Sequence, residues 1–351
     1  MLIAAGVAAA AVLAAGCGSS GSSSSTSTPG DPGSSSAPVT LRLGYQVNIT
    51  HASALVGIHE GFFTKELGSN VTLKLTPFSS GTQEATALLA GQLDAAYVGP
   101  NPTIKAWQTS DGKLIKVVSG AASGGAQLVV KKGITSASQL KGQSLATPSL
   151  GNTQDVALRY WLRQHGLTAT ATGGGDVGIK PVSPNSAAVL EFKSGQIGGG
   201  WEPAPYDIEM VQDGGHALVN EASLWPGGQF VTTDLVVTQS FLTGHPAAVN
   251  GLLKGQIEAN DFIHSHLAQA EAAANSELTS ATGKGLKSSV LSAAFKEITF
   301  TDNPIESSLT TDAQHALAVG LLKPVSNISA LYDLGPLNKL LAAAGETQVS
   351  P

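Results

Sequence analysis

Residues 79–97 and 183–201 carry one pattern written twice. At a shift of 104 residues Gly91-Gln92 falls on Gly195-Gln196, Ser79 on Ser183, Ala85 on Val189, Leu88 on Phe192, Leu93 on Ile197 and Tyr97 on Trp201. Each copy runs strand, small-residue turn, helix, Gly-Gln, strand, aromatic, then a turn containing proline. A repeat at this distance is too long for a solenoid and argues for two similarly built lobes. Two βαβ units aligned by coincidence would look the same. Either way, each unit ends with an aromatic at the carboxyl end of a strand, where open α/β sheets bind ligands, and two such ends facing each other form a cleft.

The chain around the repeat alternates short β-rich runs with helical stretches, the pattern of an α/β fold with mostly parallel sheets. Strands are expected at Leu41 to Tyr45, Val71 to Pro77, Asp94 to Val98, Ile115 to Val118 and Gln127 to Val130. Helices are expected at Ala52 to Leu67 and after Ser79-Ser80-Gly81, and a third with Asn101 as its cap and Pro102 in its first turn. A second set follows: strand Ser144 to Thr147, helix Thr153 to His165, strand Ile179 to Ser183, helix Ala187 to Lys193 and strand Phe230 to Val237. Beyond Pro246 the pattern is helical to about Ala344. With 42% hydrophobic residues in 351 there is ample material for two packed lobes.

The amino terminus reads as an export signal. Met1 to Gly16 is almost wholly Ala, Val, Leu, Ile and Gly, too short to span a bilayer comfortably but suited to a signal-peptide apolar region. Leu13-Ala14-Ala15-Gly16-Cys17 is similar to a bacterial lipobox, which makes Cys17, the single cysteine, the expected lipidation site. Ala14 stands where Leu is usual, and no Lys or Arg precedes the apolar run. Gly18 to Pro38 is a Ser/Gly/Thr/Pro tract with too few apolar groups to offset ordering entropy, and reads as a flexible tether.

Several function classes are set aside. The net charge is −6 and Lys/Arg blocks are absent, so a nucleic-acid footprint is not expected. One thiol supplies neither a disulfide nor a zinc cluster, and His264-Ser265-His266 has no acidic companion nearby, so no metal or cofactor is expected. Gly173 to Gly178 matches the dinucleotide fingerprint but follows a helix and precedes a strand, the wrong order. Neither a nucleophile elbow after the leader nor a P-loop appears. His51, at the start of the first long helix, is read as an exposed or capping residue, with a position reaching the cleft as the alternative, and Tyr97 equally as core or cleft.

Leu43-Gly44-Tyr45, Gly57-Ile58-His59-Glu60-Gly61-Phe62-Phe63, Ala90-Gly91-Gln92-Leu93-Asp94 and Trp201-Glu202-Pro203, in this order, resemble the nitrate, taurine and aliphatic-sulfonate family of ABC-transporter solute-binding proteins. The likeness runs from about Val39 to at least Thr238. It implies a two-lobed type II periplasmic-binding fold, α/β, with mostly parallel sheets flanked by helices and a ligand cleft between the lobes. The implied plan has residues 1–17 as leader, 18–38 as tether, 39–125 as lobe I and 126–232 as lobe II. Residues 233–351 then supply a crossover strand and helices returning to lobe I, the crossings falling near Ala121 to Lys131 and Phe230 to Val237.

The resemblance also implies an extracytoplasmic role. The protein would be a monomer anchored to the cell membrane by its amino-terminal lipid, delivering a small organic anion such as an aliphatic sulfonate, taurine or nitrate to an ABC permease and its ATPase. A heterocyclic or aromatic ligand (a thiamin pyrimidine precursor, riboflavin, an aromatic carboxylate) is the alternative, and a pyrimidine-synthase-like enzyme a distant one. Carried over by position, the expected ligand contacts are Gln46 and Asn48; Ser80, Gly81 and Thr82; Gly99 and Asn101; Gly151, Asn152, Thr153 and Gln154; and Trp201 and Glu202. Three of these groups lead into helices, whose first N–H groups lack partners and can hold an oxyanion without Lys or Arg. Taken singly, Ser, Thr, Asn and Gly before helices are ordinary caps. Glu202 would repel an anion, pair with the ammonium of a zwitterion, or face a helix end.

Overall fold

The structure, a computed structural model, describes residues 38–350. The leader, Cys17 and all but the last residue of the tether lie outside the described residues.

The first lobe opens with strand β1 (Val39–Gln46), helices α1 (Ala52–His59) and α2 (Phe62–Leu67), β2 (Val71–Phe78), α3 (Gly81–Leu89), β3 (Ala95–Val98), α4 (Pro100–Thr109) and β4 (Ile115–Gly124). The second is built from β5 (Ala126–Lys131), β6 (Ser144–Thr147), α5 (Thr153–Gln164), β7 (Gly178–Pro181), α6 (Asn185–Lys193), β8 (Gly199–Pro203), α7 (Tyr206–Gln212) and β9 (Gly215–Asn220). The chain then returns through β10 (Val231–Thr238), α8 (Gln239–Gly244), α9 (Pro246–Ser265), α10 (Leu267–Thr282), α11 (Ser288–Lys296), β11 (Ile298–Phe300), α12 (Glu306–Ala318) and α13 (Gly335–Ala344).

The repeat read from the sequence is a repeat of topology. One sheet has the order β11-β4-β10-β3-β1-β2 and the other β7-β6-β8-β5-β9. In the first, β1 pairs in parallel with β2 and β3, and β3 continues to the antiparallel β10. In the second, β6 pairs in parallel with β7 and β8, and β8 continues to the antiparallel β5. Tyr97 and Trp201 hold equivalent positions in β3 and β8, and both are fully buried. Tyr97 packs in the first core with its hydroxyl donating to Gln256 Oε1 at 2.5 Å, and Trp201 packs in the second with Leu128, Leu145 and Leu158.

The chain crosses between sheets at Gly124-Gly125, where β4 gives way to β5, and again just before β10. These crossings lie side by side: Val231 pairs with Ser123, and Thr232 Oγ1 donates to Gly124 O at 2.6 Å. Helices α9 and α10 pack on α1 and α2 of the first lobe.

The sheets are mixed rather than mostly parallel as expected, with four parallel and five antiparallel pairings among the described residues, because β10 and β5 cross from the other lobe and enter each sheet in the reverse direction. Other departures from the expectation have local causes. The helix expected over Ala52 to Leu67 breaks at Gly61, whose φ of 74° lies outside helical space. The cap of α4 is Gly99 rather than Asn101, with Pro100 at the first helical position. Two short strands, β9 and β11, were not anticipated; β11 has three residues and exists only because β4 offers an edge.

Candidate ligand-binding site

The lobes touch across the cleft. Ile49 N–H donates to Ala204 O at 3.2 Å, Tyr206 Oη to Val47 O at 3.1 Å, Thr82 Oγ1 to Ser149 Oγ at 3.1 Å and Ser183 Oγ to Ser79 O at 3.3 Å. Beneath these contacts lies an inner cavity of about 20 Å3, walled by residues of both lobes. That space holds about one water. Seven expected site residues line it: Gln46, Asn48, Gly81, Gly99, Asn152, Thr153 and Gln154.

Two helix ends face the cavity from opposite sides, α3 with Gly81 and α5 with Thr153 and Gln154. The N–H groups of these three residues donate to no described residue, and the helix ends carry partial positive charge. Asn152 caps α5 by accepting the Asp155 N–H at 2.9 Å. The end of α4 differs from expectation. Pro100 and Pro102 have no N–H, and the Thr103 N–H returns to Gly99 O, which leaves only the Asn101 amide.

The remaining expected residues sit outside this cavity. Gly151 stands at φ 75° and donates its N–H to Asp155 Oδ2 at 2.9 Å, so it shapes the entry to α5. Ser80 is buried with its hydroxyl 3.2 Å from that of Thr82, and Thr82 bridges to Ser149. Asn101 is buried, its Nδ2 donating to Asp312 O at 3.4 Å. Trp201, expected in the cleft, is a core residue whose indole N–H donates to Glu221 Oε2 at 2.7 Å. Glu202 lines neither the inner cavity nor the larger one above it; it is fully buried and its oxygens meet no donor among the described residues. Burial, and then the neighbouring Asp207, push its carboxyl well above the usual carboxylate range, which favours its neutral form.

His51 stands at the N-cap position of α1 without a side-chain cap bond and is not exposed; the alternative, that it reaches the cleft, is the one its position matches. It is buried and lines the inner cavity, with Nδ1 accepting the Gln46 N–H at 3.2 Å. Burial holds its pKa down at about 3, so the ring is neutral. Thr50, Asn185 and Thr232 also line the cavity and were missed. None carries a charge, so recognition at this depth falls to neutral polar groups and helix ends. The sequence signal for Asn185 was present: it follows Ser183, the counterpart of Ser79 in the repeat. His264 and His266 are exposed, as expected.

Above the inner cavity is an outer chamber of about 500 Å3, reached past Gln46, Asn48 and Asn185, which line both spaces. Its walls come from the ends of β1 and β2, from residues 184–186 and 205–209, and from Leu278 to Leu286.

Comparison with known proteins agrees with this architecture. A model of the NMT1-like family matches residues 34–277. The taurine-binding periplasmic protein of Escherichia coli K12 is 25% identical over 226 residues, 63% of this chain and 65% of that protein. Among solved structures, the alkanesulfonate-binding protein of Xanthomonas axonopodis pv. citri, bound to MOPS, superposes with a TM-score of 0.69 at 17% identity, covering 85% of this chain and 99% of the other. The periplasmic nitrate-binding protein of Synechocystis gives 0.68 at 15% identity, covering 88% and 90%. The fold is the type II periplasmic-binding fold, and the resemblance read from the motifs is borne out.

Proposed function

This chain belongs to the NMT1-like family, and from that premise we propose that it is the extracytoplasmic solute-binding component of an ABC importer, capturing a small organic ligand by lobe closure. The observation that carries this reading is the inner cavity itself: its walls come from both lobes, and the ends of α3 and α5 meet only when the lobes approach. Such a site binds by closing. Unpaired amides at two helix ends, with no carboxylate among the described lining residues and the nearby Glu84 buried and accepting from Gln46 Nε2 at 2.8 Å, suit an oxyanion such as a sulfonate, taurine's sulfonate end or nitrate. The ligands in the names of the relatives point the same way.

Binding rather than catalysis is the reading supported by the lining, where the neutral His51 already uses Nδ1 to accept the Gln46 N–H. The partners are a permease and an ATPase, and the protein acts as a monomer.

Two measurements test this. Saturation with a true ligand at 100 times Kd should raise stability by about 2.7 kcal/mol in a thermal shift, and small-angle scattering should show a smaller radius of gyration. A ligand that stabilises without compaction would remove the closure mechanism. Anchoring through Cys17, supported by the lipobox-like run and the tether, predicts that Cys17→Ser abolishes lipid labelling and releases the protein from the membrane fraction or leaves it unprocessed. Equal labelling of parent and variant would end the lipoprotein reading.

A further inference from the structure

The two spaces in the cleft are badly matched in size. The inner cavity has room for about one water, while the outer chamber holds about 500 Å3. The latter falls in the range of pockets that enclose drug-sized molecules. Taurine, a methanesulfonate or nitrate in such a chamber would leave most of the wall against water. The inner cavity admits little more than one oxygen of a polar head, so the rest of the head and any larger body must lie towards the outer chamber.

The walls say what the body is. Phe78 at the end of β2 and Tyr206 at the start of α7 are aromatic lining residues contributed by the two lobes. Leu278 near the end of α10 and Leu286 beyond it add aliphatic surface from a third segment. Two charged residues line the chamber, Glu209 and Lys284, and they attract each other. Their charges offset, so neither selects an ionic body. The polar groups shared with the inner cavity, Gln46, Asn48 and Asn185, lie where head and body would join.

Resting on the solute-binding reading above, we propose that the outer chamber is a second subsite which holds the ring-sized apolar body of an amphipathic ligand, whose sulfonate or carboxylate head points to the ends of α3 and α5. The ligand class is a cyclic or aromatic sulfonate or carboxylate rather than a C1–C2 anion. Each methylene buried in the chamber is worth about a threefold to fourfold gain in affinity, so a full ring is worth well over tenfold.

Isothermal titration with two head-matched pairs, methanesulfonate against benzenesulfonate and acetate against benzoate, tests the assignment and separates the two heads. The expected result is a ring-bearing member at least tenfold tighter than its small partner in one series or both. That ratio should fall at least threefold in Phe78→Ala and in Leu286→Ala, two variants on different segments, so that misfolding of one leaves the other informative. Equal affinity within both pairs, or a ratio unchanged in both folded variants, overturns the subsite and leaves the solute-binding reading standing. Binding of none of the four also overturns it. The wider reading is then judged separately by whether taurine or nitrate compacts the protein in scattering.

Discussion

Replacing Asp155 by Ala should lower the stability of the protein by about 3–5 kcal/mol, the range for breaking a buried ion pair from one side. Asp155 and Arg159 are one helical turn apart on α5 with side chains 0% and 1% exposed. Arg159 Nε donates to Asp155 Oδ2 at 2.9 Å and Nη2 to Oδ1 at 3.1 Å. The same carboxylate accepts Thr147 Oγ1 at 3.0 Å and the Gly151 N–H at 2.9 Å. Its loss strands a guanidinium in the core and frees the loop that presents Asn152, Thr153 and Gln154. Asp155→Leu combined with Arg159→Met removes both charges and should recover part of the loss. Urea unfolding followed by circular dichroism measures this, and a deficit below about 1 kcal/mol for Asp155→Ala would mean that the pair does not hold the loop.

Gly99→Val should weaken ligand binding by roughly fivefold to 150-fold while leaving the unliganded protein folded, the range expected from an overpacking cost of about 1–3 kcal/mol. Gly99 has φ −70° and ψ 160°, extended backbone that any residue adopts, so no strain is introduced in the chain itself. A Cβ at this position would lie 2.8 Å from Thr153 Oγ1 and 3.4 Å from Thr232 O. Gly99 belongs to the first lobe and Thr153 to the second, so this clash exists only when the lobes are closed. Thr153→Ala in the same chain should restore part of the lost affinity relative to Gly99→Val alone. Titration and thermal melting of the three proteins decide the matter; full-strength binding by Gly99→Val would show that the ligand is not held in the closed arrangement seen here.

The fold was legible from residue patterns because those patterns report local physics. Alternating and helical periods place β1 to β3, β5 to β7 and α3, α5 and α6 within a few residues, while β4 runs six residues past the expected end at Val118, and the echo at 104 residues pointed to β8 and to sheets sharing one local strand order. The missing amides of α4 were also legible, since Pro100 and Pro102 are in plain view. What misled was treating every helix start as equivalent. At the site, the turns at Gly81 and Asn152 to Gln154 could be named because helix ends and caps are encoded within four or five residues.

Side-chain destinations were a different matter. Tyr97 and Trp201 each lie within a strand, and strand periodicity says only that a residue faces one side of a sheet or the other. Packing of α5 over β8 decided that Trp201 is core, with Glu221, distant in sequence, completing its hydrogen bond. His51 became a neutral cavity residue because residues from both lobes close over it. The outer chamber joins the ends of β1 and β2 to segments near residues 185, 206 and 282, which no local window can connect. The sequence by itself therefore determined the elements, their repetition and the helix ends that can hold a ligand, since these depend on neighbours along the chain. Only the tertiary structure decided which aromatics line the cleft, which carboxyls are buried and how large the cavity is, because burial and spacing are set by residues from tens to more than two hundred positions apart.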